Sequence, residues 1–138
     1  MASIDYAFVA DYAKVESQGT LTVVGASWTF VVADGFPTQR RMAVAGRIRG
    51  AMDEGPIPMR VTARGPGRTF EIVAGIDLVA GPDARPYGPE RYVGHLFAID
   101  MGIPLLQAGL YEVLVELPNE GLTKRLAFEA QLGGQPAE

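Results

Sequence analysis

The stretch YEVLVELPNEGLTKRLAFEAQL, residues 111–132, decides the fold class. Tyr111, Val113, Val115 and Leu117 fall on one side and Glu112, Leu114 and Glu116 on the other, the period-2 pattern of a strand with one buried face. Pro118-Asn119-Glu120-Gly121 ends the run, because Pro cannot donate to a ladder and Gly accepts φ > 0. Alternation resumes in Leu126, Phe128, Ala130 and Leu132, so the segment predicts a C-terminal hairpin.

The same pattern recurs upstream. Met42, Val44 and Ile48, with Gly46 in their register, alternate with Arg41, Ala43, Ala45, Arg47 and Arg49. Ile57, Met59, Val61 and Ala63 alternate with Arg60, Thr62 and Arg64, and the residues from Gly50 to Pro56 between the two runs read as a hairpin loop. Phe70, Ile72, Ile76 and Leu78 give a further strand with a bulge expected at Gly75, and Val93, His95, Phe97, Ile99 and Met101 give another. Ile4, Tyr6, Phe8, Ala10 and Tyr12 read as a strand that leads through Ser17-Gln18-Gly19 into a second one. That second strand is apolar on both sides, with Leu21 and Val23 against Val24, Trp28, Phe30 and Val32. It is therefore central, covered twice, or bulged at Gly25.

Composition agrees. Gly and Pro make 27 of the 138 residues, well above the usual share of about 12%, and beyond residue 18 no stretch runs longer than about a dozen residues without one, which argues against a helical protein. Hydrophobic residues at 48% exclude disorder, and charged residues at 20% fall below the usual quarter. The reading is an all-β chain, an antiparallel sandwich of 7 to 9 strands, immunoglobulin-like or C2-like. Residues 1–132 form one domain and residues 133–138 a flexible tail. Gly81 to Glu90, rich in Pro and Gly, is an extended loop. No apolar run approaches the length of a membrane span, and the opening MASIDYAFVADYAKVES carries acids where a signal peptide needs basic and then apolar residues, so a cytoplasmic location is expected. There is no Cys, which removes disulfides, thiol nucleophiles and thiolate metal sites together.

Two stretches carry a family resemblance. AFVADYAKVESQGTLTVVGA, residues 7–26, and AGLYEVLVELPNEG, residues 108–121, resemble a small bacterial all-β family catalogued only as a domain of unknown function. Its members place Ala-Asp-Tyr-Ala before a Gly-Lys-Leu turn and end in a Gly-x-Tyr hairpin. Thr20 stands here where the family often has Lys. The resemblance spans roughly residues 7–50 and 105–130. It implies the fold and carries no activity with it.

Chemistry-bearing motifs are scarce. His95 is the only histidine and cannot by itself provide a metal site or a base with its orienting partner, so it is expected as a hydrogen-bonded histidine at the core boundary. The carboxylates lack the spacing of a calcium loop, and Asp11, at a strand end, is expected to accept backbone N–H bonds from the following turn. Arg64-Gly-Pro-Gly-Arg68 reads as a turn, since Pro66 removes a donor that a phosphate cradle would need. No cofactor, metal or catalytic residue is assigned.

Charge placement is the strongest non-random feature. Seven arginines (40, 41, 47, 49, 60, 64 and 68) lie among residues 38–68 with only two acids, while the rest of the chain holds five basic and fourteen acidic groups. Pairing residues 40–49 with 57–64 as a hairpin puts Arg41, Arg47, Arg49, Arg60 and Arg64 on one sheet face, a partner-binding surface for a carboxylate-rich protein. Tyr87 and Tyr92 are the contact residues offered by the loop. A net charge of −4 and the lack of aromatics among those arginines argue against nucleic acid. The expected function is a non-enzymatic interaction or scaffold module that forms a homo-oligomer or docks on an acidic protein partner. Anion or nucleic-acid binding through the arginines, and a loop-based ligand or enzymatic site, are the alternatives.

Overall fold

The computed structural model describes residues 1–133, so most of the tail expected at 133–138 lies outside the described residues. Nine strands form two sheets. They are β1 (Ser3–Val15), β2 (Leu21–Ala26), β3 (Phe30–Ala33), β4 (Thr38–Ala51), β5 (Ile57–Arg64), β6 (Glu71–Leu78), β7 (Tyr92–Leu105), β8 (Gly109–Leu117) and β9 (Leu122–Leu132). Sheet A has the order β2-β1-β4-β7 and sheet B the order β3-β9-β8-β5-β6. The only helical pieces among the described residues are single 3₁₀ turns at Pro66–Arg68 and Pro118–Glu120. The second of these turns closes the predicted C-terminal hairpin, with Gly121 at φ 66° where a side chain would be strained.

The two sheets face each other across one core. Val9, Met42, Val44, Ile48, Phe97 and Met101 project from sheet A against Ile57, Met59, Val61, Val113, Val115 and Leu117 from sheet B, all buried. Each such side chain contributes about 1.5–3 kcal/mol on leaving water. Tyr111 is 1% exposed, and its hydroxyl donates to the Gln107 carbonyl at 2.7 Å, so its polar tip is satisfied inside the core. Phe128 stacks on Tyr111, and Trp28 meets Phe128 edge-on at 5.2 Å between ring centroids.

Three sequence expectations change. The apolar stretch 21–33 is two strands in two sheets: β2 pairs with β1 at one edge of sheet A, while β3 pairs with β9 at an edge of sheet B, in parallel. Gly25 and Ser27, at φ 59° and 66°, make the break. The two-sided pattern thus reflects a strand that changes sheets, and Trp28 packs against the core while Phe30 is 57% exposed. The bulge expected at Gly75 is absent, because β6 pairs with β5 in unbroken register from Ile57↔Leu78 to Arg64↔Glu71. The hairpin expected between residues 40–49 and 57–64 is also absent. Both edges of β4 are taken by β1 and β7 and both edges of β5 by β6 and β8, so the segment between them carries the chain from one sheet to the other.

Candidate functional site

That sheet crossing separates the arginines. Arg60 and Arg64 lie on the outer face of sheet B, where Arg60 donates to Glu116 at 2.9 Å and Arg64 to Glu71 at 2.9 Å. Arg41, Arg47 and Arg49 belong to sheet A. The single face of five arginines is therefore corrected to two faces on opposite sides of the sandwich. Arg41 sits opposite Gly102 at the far end of β4 from Arg47 and Arg49.

Arg47 and Arg49 share an acidic anchor made by a bulge. Ile4 pairs with Ile48, but Tyr6 pairs with Arg47, so β1 holds Asp5 as one extra residue. Ile4 packs on the core while Tyr6 and Phe8 turn outward, stacked 6.2 Å apart. Asp5, with its side chain 15% exposed, accepts from Arg47 Nε at 2.8 Å and lies 3.7 Å from Arg49 Nε. Arg49 also donates to Ser3 Oγ from Nε and Nη2 at 3.2 and 3.1 Å. The Asp5 bond raises the Arg47 guanidinium's pKa against the opposing effect of burial. Gly46 makes the close approach of β1 and β4 possible, since a Cβ there would lie 2.2 Å from the Tyr6 carbonyl oxygen.

The guanidiniums rest on tyrosines. Arg47 lies 5.3 Å from the Tyr6 ring centroid and Arg49 4.8 Å from that of Tyr92, within cation–π range. Tyr87 exchanges two backbone hydrogen bonds with Tyr92, at 2.8 and 3.0 Å, and joins Arg47 and Tyr6 around a hollow of about 410 Å³. Two sets of residues that the sequence offered separately, the sheet arginines and the loop tyrosines, thus meet at one place. Tyr6, Asp5 and Ser3 complete it. Strict alternation puts Tyr6 in one register with Ile4, so nothing in the first strand read alone points to them.

A larger hollow adjoins this one. Gly19, Gly94 and Leu96 line both, and the larger, of about 620 Å³, runs along β7 from Val93 to Leu96 beneath the segment 77–85. His95 lies at its inner side, 9% exposed. His95 thus stands at the core boundary as expected, but no hydrogen bond joins it to another described residue. Burial lowers its pKa, and nearby Glu54 offsets this in part. Glu54 itself is occupied, accepting from the Ala51 N–H at 3.0 Å.

Asp11 does not serve the β1–β2 turn as expected. It accepts from Arg40 Nη2 at 2.7 Å, and Arg40 stacks on Trp28 at 5.0 Å from the ring centroid. The Arg40 Nε and Trp28 Nε1 donors are buried without a partner. Among the described residues no group of three His, Cys, Asp or Glu is placed to hold a metal ion, and no helix is long and apolar enough to cross a membrane.

Comparison with known proteins agrees with the resemblance read from residues 7–26 and 108–121. The model of a family of unknown function (DUF6941) matches residues 5–130, and the chain belongs to that family. The match takes in the whole of β4 to β7, which the resemblance covered only in part. No curated protein matches the chain.

Proposed function

We propose that this protein is a non-enzymatic interaction module of the cytoplasm that docks on a protein partner through the Arg47–Arg49–Tyr6–Tyr87–Tyr92 surface of sheet A. The carrying observation is the stacking of Arg47 on Tyr6 and Arg49 on Tyr92 beside a hollow. Arg and Tyr are the residue types enriched where interfaces concentrate their binding free energy, because each offers a large rigid plane with polar atoms at its rim. Here the planes are already held by Asp5 and Ser3, so little side-chain freedom remains to be lost on docking. Asp5 answers only part of the two positive charges, which favours a partner with carboxylates. Tyr6 and Tyr87, 38% and 46% exposed, supply the apolar contact.

The test is affinity purification from the native host with wild type and Arg47→Ser/Arg49→Ser, each followed by mass spectrometry and by light scattering of the purified protein. Partner capture or self-association that is lost in the variant, with its thermal midpoint kept, supports the reading. Equal capture by both proteins removes it.

A second reading gains from the same geometry. Arginines and exposed tyrosines do stand together here, and single-strand nucleic-acid binders combine basic groups with aromatic faces on which bases stack. Fluorescence anisotropy with single-stranded oligonucleotides, and affinity falling steeply with salt, would promote that reading over protein docking.

A further inference from the structure

The beginning of β7 has a neighbour on its outer side, and the rest has none among the described residues. Tyr87 bridges Tyr92 as the first residue of a fifth strand of sheet A would. The preceding residues then depart, and the hollow of about 620 Å³ occupies the place where that strand would continue along Val93–Leu96. From Val93 onward β7 pairs only with β4 among the described residues, so the backbone N–H and C=O groups it turns away from β4 have no strand to bond. Natural sheets cover, charge or twist away long edges of this kind. The β7 edge is long, and a walled trough follows its first residues.

The ionised side chains lining the trough are Asp77, Asp83 and Arg85, two negative to one positive. No salt bridge joins any of them to another described residue. His95 adds an imidazole, nine-tenths buried and without a hydrogen-bond partner. We infer that the trough takes an extended peptide segment bearing a basic side chain, which adds to sheet A along Val93–Leu96 while its cation lies between Asp77 and Asp83. Four residues of strand span about 13 Å. Main-chain bonds supply affinity in such strand addition, and the side-chain pockets supply selection. This inference rests on the reading of the protein as an interaction module, and it names the chemistry of one partner segment.

The probes are capped eight-residue peptides of alternating Thr and Val, one with a central Lys and one with a central Glu, titrated into ¹⁵N-labelled protein. The Lys peptide is expected to shift the amides of Val93–Leu96 and of residues 77–85, with affinity about tenfold above the Glu peptide. N-methylation of alternate amides on one edge of the peptide is expected to abolish binding, whereas N-methylation on its other edge leaves it intact. Asp77→Asn/Asp83→Asn should erase the preference for Lys without unfolding the protein, because both sites are exposed. Equal binding of Lys and Glu peptides, indifference to N-methylation on both edges, or shifts elsewhere overturn the proposal. So do β7 amide shifts that follow protein concentration alone, which would make a second copy the added strand. If partner capture depends on Arg47 and Arg49 but no peptide reaches β7, strand addition fails and the docking reading stands. If a peptide binds β7 as expected but capture is indifferent to those arginines, strand addition stands and docking through the Arg–Tyr surface fails.

Discussion

Asp5 accepts a hydrogen bond from Arg47 Nε at 2.8 Å, and the acceptor is the one residue that β1 inserts out of register. A bulge and an ion pair therefore depend on each other. Without the bulge Asp5 would keep strict alternation with Ile4 and Tyr6, and one of the three would face the wrong medium.

Asp5→Ala should lower stability by about 1 kcal/mol, because the Arg47 and Arg49 side chains are each 41% exposed and regain water when the carboxylate is lost. In urea titrations the midpoint should fall with the slope unchanged. The loss should be smaller when Arg47→Ser is already present, and a double-mutant cycle that shows no coupling would separate the bulge from the ion pair.

Gly46→Ala and Gly75→Ala should differ in sign. A Cβ on Gly46 would meet the Tyr6 oxygen at 2.2 Å and Ala7 Cα at 2.9 Å, both of them backbone, whereas on Gly75 the nearest atom is 3.9 Å away. The first change should cost about 3 kcal/mol or more, since two strands must separate. The second should be neutral or stabilise by about 0.4–1 kcal/mol through the unfolded chain. Thermal midpoints of the two variants decide it.

His95 should make folding sensitive to mild acid. Its folded pKa lies below its ordinary value because burial disfavours the imidazolium, so below about pH 6.5 the unfolded chain binds a proton that the folded one refuses. Stability is complete above that pH and falls as pH drops toward the folded value. Glu54 beside the ring limits the effect. His95→Gln removes this titration, so its stability should fall less than that of wild type between pH 7 and 5. Parallel curves would show that the imidazole is reached by water.

What alternation reveals is which face a residue takes, and the core follows from that. Met42, Val44 and Ile48, like Val113, Val115 and Leu117, stand inside as read. Alternation does not say which sheet a strand joins. The run from Leu21 to Val32 looks like one strand because Gly25 to Thr29 contains nothing that forbids a ladder, yet positive φ at Gly25 and Ser27 turns the chain to the other sheet. The crossing between β4 and β5 was equally hidden, since a short polar loop with Gly and Pro serves a hairpin or a crossing alike. Asp5 was invisible for a different reason: a bulge is a mismatch between two strands, and one strand read alone does not contain it. The Arg–Tyr surface inherits the last two difficulties, because its members come from β1, β4, β7 and the loop.

The split of the arginines yields the last prediction. Arg47→Ser/Arg49→Ser and Arg60→Ser/Arg64→Ser each remove two partly exposed guanidiniums, and ion pairs whose cations reach water are worth about 0–1 kcal/mol each. Both variants should therefore keep thermal midpoints within a few degrees of wild type. Their effects on docking should differ entirely, because Arg60 and Arg64 lie on the opposite sheet and are engaged there by Glu116 and Glu71. The Arg60 hydrogen bond holds the Glu116 carboxyl below its usual pKa, with partial burial acting the other way. Its contribution is thus present above the ordinary carboxylate range and is lost only as pH falls through the lower folded value. Partner capture that drops with the Arg47 and Arg49 changes and survives the Arg60 and Arg64 changes fits docking through sheet A. Equal loss in both variants would mean that overall charge, screened over about 8 Å at physiological salt, governs association rather than the placement of any one pair.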